Sequence, residues 1–349
     1  MKITKPKFVS SISTLCTALS KQLSGRRYAI LTDETVGQLW LPQILESLHD
    51  HSPLDIIEVE SGELCKSPEV CIHIWQHLLE LEFSKSDVLV CIGGGSVSDL
   101  GGFIAATYKR GLTCIFLPTT LLAMTDAAIG GKNGIDISDV KNAVGTIVQP
   151  EAVLVYPKFC ETLSDAQFLS GMAEVLKHGV IAGGVLWKEL QDLSPLVREI
   201  PPPLLRRSVD VKLSIVREDP LEKGRRKVLN FGHTIGHAIE SSLMQSKSPV
   251  EHGFAVAMGM MVEVKIAEQL GMLPANDALE IIRVVRAWYS GVLPKFPAWK
   301  EIMPFLSHDK KVDQQKNAYA LPLSLGCFEI VYSASYEYAQ SAYNEFVVV

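Results

Sequence analysis

The stretch Asp87-Val-Leu-Val-Cys-Ile-Gly-Gly-Gly-Ser-Val-Ser-Asp99 decides the fold. Its apolar half shows no polar alternation, so both faces of the strand it predicts are covered, as in a parallel sheet under helices. It runs straight into Gly93, Gly94 and Gly95, and then into a helix. Glycines let backbone amides approach a phosphate closely, and a helix N-terminus supplies positive potential there. The spacing Gly93-x-Gly95-x-x-Ser98 lacks the third glycine of the dinucleotide fingerprint, and Asp99 sits in the first turn. On this turn alone, a tight strand-to-helix connection without a ligand competes with a phosphate cradle.

Outward from that turn, residues 28–32, 54–59, 113–117 and 152–156 read as further short apolar strands. An amphipathic helix is predicted from Pro68 to about Leu81. Strands alternating with helices make residues 1–158 a doubly wound α/β domain with a parallel sheet. After Pro157 the pattern turns helical, so residues 159–349 are read as a second, mainly α-helical domain. Ser164-Asp-Ala-Gln167 reads as a capping box. It opens a helix on which Glu174, Lys177 and His178 fall at i, i+3 and i+4. Pro201-Pro-Pro203 separates that helix from one holding Lys212. A polar loop, residues 217–226, leads to Asn230-Phe-Gly-His-Thr-Ile-Gly-His-Ala-Ile-Glu240. Glu251-His-Gly253 opens the next helix, which stops at Gly271. Residues 318–323 and 328–332 are candidates for a small hairpin.

The chain has 349 residues, 47% hydrophobic and 21% charged, which is ordinary for a soluble enzyme. A formal charge of −6 argues against a nucleic-acid partner. The run from Gly253 to Val264 is the richest apolar stretch, and it is too short to span a membrane. The basic N-terminus is not followed by an apolar secretory core. Seven scattered cysteines without a C-x-x-C pair point to reduced thiols and a cytoplasmic location.

His233 and His237 lie one helical turn apart, a spacing that suits a shared metal or one ligand beside one proton carrier. Alone, such a pair is more often a pair of helix-surface histidines. With the Glu174 cluster and His252 on two other helices, it reads as a metal site built across a bundle. His73 and His77 repeat the spacing without a second cluster and are read as structural or solvent-facing, not as ligands; His49 and His51 sit in a polar turn. After the strand at 113–117, the segment from Pro118 to Asn133 carries hydroxyls, Asp126, the pair Gly130-Gly131 and Lys132. Lys141 and Asn142 follow, and the group reads as an anion site, although each lysine alone reads as a solvated surface cation.

These motifs together resemble the 3-dehydroquinate synthase family of sugar-phosphate cyclases over nearly the whole chain. The stretches that carry the resemblance are residues 94–102, Pro118-Thr-Thr-Leu-Leu122, Gly130-Gly-Lys132, Gly171-Met-Ala-Glu-Val-Leu-Lys177, residues 229–238 and Asp309-Lys-Lys311. The resemblance implies an NAD-binding N-terminal domain, a helical C-terminal domain and a site between them. It implies zinc or cobalt on Glu174, His233 and His252. NAD would lie along Asp33, Glu63, Lys66, Gly94, Gly95, Ser96, Val97, Asp99, Thr119, Thr120, Lys132, Lys141 and Thr162. The phosphorylated seven-carbon substrate would meet Arg110, Asp126, Lys132, Asn142, Lys177, Lys212, Glu222, Arg226, Asn230, His237 and Lys311.

The implied reaction converts 3-deoxy-D-arabino-heptulosonate 7-phosphate to 3-dehydroquinate in the shikimate pathway of aromatic amino acid biosynthesis. It proceeds by transient oxidation with NAD, phosphate elimination, re-reduction and aldol closure. A doubly anionic substrate explains many local cations in a chain of net negative charge. Lys177 and Lys212 are expected to be unpaired until it binds. The rival readings are another sugar-phosphate cyclase and a metal-dependent polyol dehydrogenase of the glycerol dehydrogenase type. A homodimer is implied by the resemblance alone. The chain departs from the family where Thr162-Leu-Ser-Asp-Ala166 replaces Thr-Leu-Pro-x-Arg and where Asn133-Gly-Ile-Asp136 replaces Thr-Ala-Val-Asn.

Overall fold

Two strands buried at every residue, Tyr28–Asp33 and Val88–Gly93, run parallel at the centre of a sheet. The computed structural model describes residues 2–48, 52–138, 140–246, 248–308, 318–332 and 336–347. It divides into two units, Met1–Ser164 and Asp165–Val349. In the first unit the strands are β1 (Lys7–Phe8), β2 (Tyr28–Asp33), β3 (Asp55–Val59), β4 (Val88–Gly93), β5 (Thr113–Pro118), β6 (Lys132–Ile137), β7 (Val140–Ile147) and β8 (Ala152–Val155). Six of them form one sheet in the order β1-β8-β5-β4-β2-β3, with every pair parallel. Its helices are α1 (Ile12–Leu23), α2 (Glu34–Leu39), α3 (Leu41–Leu48), α4 (Pro68–Glu80) and α5 (Gly95–Thr107).

The unit is a doubly wound α/β fold. The chain steps outward from β2 to β3, then returns past β2 to build β4, β5 and β8 on the other side. That reversal puts a switch point between β2 and β4, where ligands of open parallel sheets bind. The carboxyl ends of the two strands are Asp33 and Gly93.

Strands β2, β3, β4, β5 and β8 stand within two residues of where the apolar runs predict them, and the two-residue β1 is an addition. The sequence reading lacked the antiparallel hairpin β6–β7, which occupies part of the polar segment after β5. Its second strand is mostly exposed, so neither a buried run nor a clean alternation marks it. The hairpin also explains the departure from the family pattern at residues 133–136. Asn133 Nδ2 donates to Gly131 O at 3.0 Å and to Val148 O at 3.1 Å, and Asp136 Oδ1 accepts from Asn142 N at 2.6 Å. Here the two residues tie the hairpin to itself.

The second unit is helical: α6 (Asp165–Ala182), α7 (Gly184–Asp192), α8 (Pro202–Glu218), α9 (His233–Gln245), α10 (His252–Gln269), α11 (Ala275–Trp288), α12 (Trp299–His308) and α13 (Tyr336–Val347). The hairpin of β9 (Tyr319–Ser324) and β10 (Cys327–Val331) forms at its expected place. Helix α7 is an addition to the sequence reading. Gly183 and Gly184 both take positive φ, 60° and 55°, so the chain turns there between two helices. No described helix is long and apolar enough to cross a membrane.

At the centre of this unit lies α10, buried almost throughout and packed on α9, α6, α11 and α13. Its approach to α9 and α6 is backbone to backbone. A Cβ on Gly259 would fall 2.0 Å from Gly232 O and 2.7 Å from Gly236 N, and one on Gly253 would fall 2.1 Å from Ser170 O. Side chains in the way can rotate, but these neighbours are main chain and cannot. Gly259→Ala should therefore push α10 off α9 and cost about 3 kcal/mol, the upper range for overpacking a core. Urea unfolding of the two proteins measures this; an unchanged midpoint would mean that the helices tolerate separation.

Candidate active site

In the first unit, α5 begins at the triple glycine with Gly94 as its N-cap and no side chain capping its amides. A Cβ on Gly94 would lie 3.1 Å from Thr120 Cγ2, and one on Gly95 would lie 3.2 Å from Ala127 Cβ. The turn holding Thr119, Thr120 and Asp126 thus packs against the glycine end of the helix. The Thr119 hydroxyl is buried there without a hydrogen-bond partner. An uncapped helix start, no room for side chains and an orphaned hydroxyl fit the pyrophosphate of a dinucleotide.

Beside the cradle, Lys66 is only 2% exposed. Its ammonium donates to Asp99 Oδ2 at 3.0 Å and to Asn142 Oδ1 at 2.7 Å, with Glu63 at 3.6 Å and Asp136 at 3.8 Å. Burial works against its charge, but Asp99 and Glu63 outweigh that and raise its pKa. Burial pushes the Asp99 carboxyl up to about 6 despite Lys66. Ser96 donates to Glu63 Oε1 at 2.9 Å, and Lys141 Nζ lies 4.0 Å from Glu63. The fold thereby gathers Glu63, Lys66, Ser96, Asp99, Lys141 and Asn142 into one charged network. Val97 is buried in the first turn of α5. Asp33 caps α2, accepting from Val36 N at 3.1 Å and from Ser61 Oγ at 3.0 Å. Thr162 accepts from Trp40 Nε1 at 3.0 Å.

Arg110 is placed differently. It lies exposed just past the far end of α5, roughly 20 Å from the cradle at 1.5 Å per residue. Its own unit does not bring it to the glycines. Lys132 is exposed at the start of β6, immediately after the Gly130-Gly131 turn.

In the second unit, α6, α9 and α10 bring together the three groups that the motifs singled out. Glu174 is completely buried, and neither carboxylate oxygen makes a hydrogen bond. One oxygen faces the Lys177 ammonium in an ion pair; the other is 3.5 Å from His233 Nε2. Lys177 is therefore paired with Glu174 across one helical turn, which corrects the expectation of an unpaired cation. The imidazoles of His233, His237 and His252 cluster with ring centroids 5.2–5.7 Å apart. One ligand nitrogen from each lies within 4.8 Å of the others. His233 Nδ1 donates to Phe231 O at 3.1 Å, which leaves Nε2 as the lone pair facing Glu174. Burial lowers the His233 pKa well below its usual value, and the Lys177 ammonium adds to this. A neutral imidazole beside a buried carboxylate that lacks hydrogen bonds suits a divalent cation.

Around this cluster, Lys212 is buried on α8, which packs on α6, and Arg226 is buried with Nη1 on Pro220 O at 2.8 Å. Glu222 accepts from Asn230 Nδ2 at 3.1 Å. The loop between them hangs on Asp219, whose carboxylate accepts from Lys223 N, Gly224 N and Arg226 N at 2.7–3.0 Å. Lys311 lies outside the described residues, as do His49 and His51. His77, read as structural, pairs with Asp55 at 2.5 Å.

Residues 56–170 match the sequence family described as 3-dehydroquinate synthase N-terminal, and residues 171–312 match 3-dehydroquinate synthase C-terminal. The chain belongs to the 3-dehydroquinate synthase family. A 3-dehydroquinate synthase from Pyrococcus furiosus is 39% identical over 317 residues, 90% of this chain and 91% of that relative. Among solved structures, 2-epi-5-epi-valiolone synthase from Streptomyces hygroscopicus subsp. jinggangensis, with NAD+ and Zn2+ bound, superposes with a TM-score of 0.89. It is 24% identical, and the match covers 100% of this chain and 98% of that one. A 2-deoxy-scyllo-inosose synthase complexed with carbaglucose-6-phosphate, NAD+ and Co2+ gives 0.85 at 22% identity, covering 98% and 97%. At these identities the two structures speak for the fold.

Motif reading assigned no role to Asp219, Glu240 or Glu263. The signal for Glu263 was available, since it is an acid inside the richest apolar run. It is fully buried on α10, where Oε2 accepts from Gly232 N at 2.7 Å and Oε1 from Ile235 N at 3.2 Å. No side chain of α9 caps that helix, so α10 caps it instead. Burial pushes the Glu263 carboxyl from 4.5 up to about 8, against backbone donors that lower it. Between those values the unfolded chain has released a proton that the folded chain retains, so stability falls as pH rises through the interval. Glu263→Gln removes this contribution. Unfolding at about pH 5 and pH 8 should show the parent losing stability relative to the variant; parallel behaviour would contradict the assignment.

Proposed function

We propose that the chain catalyses the 3-dehydroquinate synthase reaction, in which 3-deoxy-D-arabino-heptulosonate 7-phosphate gives 3-dehydroquinate and phosphate. Membership of the family across both units supports this over a polyol dehydrogenase. The observation that carries the site assignment is the donor set of the second unit. Glu174 is buried without a hydrogen bond, and His233 Nε2 faces it at 3.5 Å. The Lys177 ammonium faces one of its oxygens; the other, turned to a neutral imidazole, suits a divalent cation.

On this reading Glu174, His233 and His252 hold Zn2+ or Co2+, and the glycine turn at the start of α5 holds the pyrophosphate of NAD. When bound, the cation supplies Lewis acidity and NAD a reversible hydride acceptor. The chain's own groups do the rest. Lys177 and Lys212, both buried cations, bind the anionic groups of the substrate and orient it. Asn230 holds Glu222 at the loop that Asp219 fixes. His237, exposed one turn beyond His233, contacts the phosphate or carries a proton. The seven cysteines are free thiols, six of them buried, in keeping with a cytoplasmic enzyme. A homodimer rests on the family resemblance.

Phosphate release should require NAD in trace amounts and leave no reduced nicotinamide behind. Absorbance of the reduced cofactor, followed alongside phosphate, decides this; stoichiometric reduced cofactor would favour a dehydrogenase.

The two histidines of α9 should separate. His233→Ala is expected to lose metal and activity together. His237→Ala should keep its metal while turnover falls by roughly two to four orders of magnitude, the scale of a general acid–base group. Metal analysis of the purified variants checks this, and a metal-free His237 variant would reverse the roles.

A further inference from the structure

The two proposed imidazole ligands sit at equivalent places, since His233 opens α9 and His252 opens α10. Each must present Nε2 to a cation, and a neutral imidazole does so when Nδ1 carries the proton. For His233 the backbone enforces this, through Phe231 O at 3.1 Å. For His252 a side chain does. Its Nδ1 lies 3.1 Å from Oε2 of Glu240, a residue three positions after His237 on α9 whose side chain is only 5% exposed.

Burying a carboxylate is costly unless it is paired and hydrogen-bonded. Glu240 lies on the buried side of α9 beside Ile239. It is also distinct from the carboxylate proposed as ligand, because its oxygen is directed at Nδ1. We propose that Glu240 is a positioning residue of the metal site. Its carboxylate accepts the Nδ1 proton of His252, fixes that tautomer and ring angle, and makes Nε2 a stronger donor. This rests on the reading of His252 as a ligand. Helix α9 then serves the cation twice, through His233 directly and through Glu240 by way of the neighbouring helix.

The test uses the full chain and Zn2+ alone. Dissociation constants are measured by chelator competition for the parent, Glu240→Ala, Glu240→Gln and His252→Ala. Glu240→Ala should weaken Zn2+ binding roughly 10- to 100-fold, the usual effect of removing such a partner. Glutamine, which accepts one hydrogen bond but carries no charge, should weaken it by roughly three- to tenfold on the same grounds. Nitrogen NMR of histidine-labelled, metal-free Glu240→Ala should show one imidazole losing the Nδ1–H form, a change that loss of helix packing alone does not produce. If the alanine variant does not fold, the glutamine variant carries the test. Unchanged Zn2+ affinity in the folded Glu240 variants, with affinity lost in His252→Ala, overturns the positioning role and leaves the ligand reading standing. Unchanged affinity in His252→Ala overturns both.

Discussion

Everything in the second unit depends on main chain touching main chain where α10 crosses the start of α9. Gly232, Gly236 and Gly259 have no side chains to hold the helices apart, so the first turn of α9 rests directly on α10. Two things follow from that distance. The imidazoles that open the two helices come within 5.4 Å, ring centroid to ring centroid. The Glu263 carboxyl also reaches the amides that α9 leaves uncapped. With larger residues at these positions, the same histidines would be ordinary residues on separate helices.

The first unit solves a different problem, which is how to keep charges buried near an anion. Lys66 is nearly inaccessible, yet it remains a cation because Asp99, Glu63 and Asp136 surround it. The pKa changes there reflect a balance in which burial opposes every charge and the neighbours decide the sign. A chain of net charge −6 can in this way keep positive groups where an acidic ligand needs them.

Much of this was legible in the sequence, and the reasons are physical. Strands β2, β4, β5 and β8 are buried on both faces, so their residues form unbroken apolar runs that need no context. Histidines at i and i+4, or an acid three before a lysine, share a helix face by geometry alone. What stayed hidden depends on partners distant in sequence. The carboxylates of Glu240 and Glu263 mean little until α9 and α10 are placed side by side. In the hairpin β6–β7 one strand is mostly exposed and the buried residues of the other do not alternate, and α7 is separated from α6 only by two glycines of unusual φ. Lys177 was read as waiting for substrate because its ion pair with Glu174, though local, involves a residue already assigned to the metal.

The position of the two imidazoles at helix starts has an electrostatic consequence. The positive ends of α9 and α10 converge on the histidine cluster, and each would oppose a cation held there by a few tenths to about 1 kcal/mol. An anion arriving at the same spot is favoured by the same two helices. It would offset the field that a cation there feels and so strengthen its retention. Linkage requires the effect to be mutual, so the ion strengthens the hold on the anion by an equal factor. The helices thereby bias the site toward joint occupancy over either guest alone.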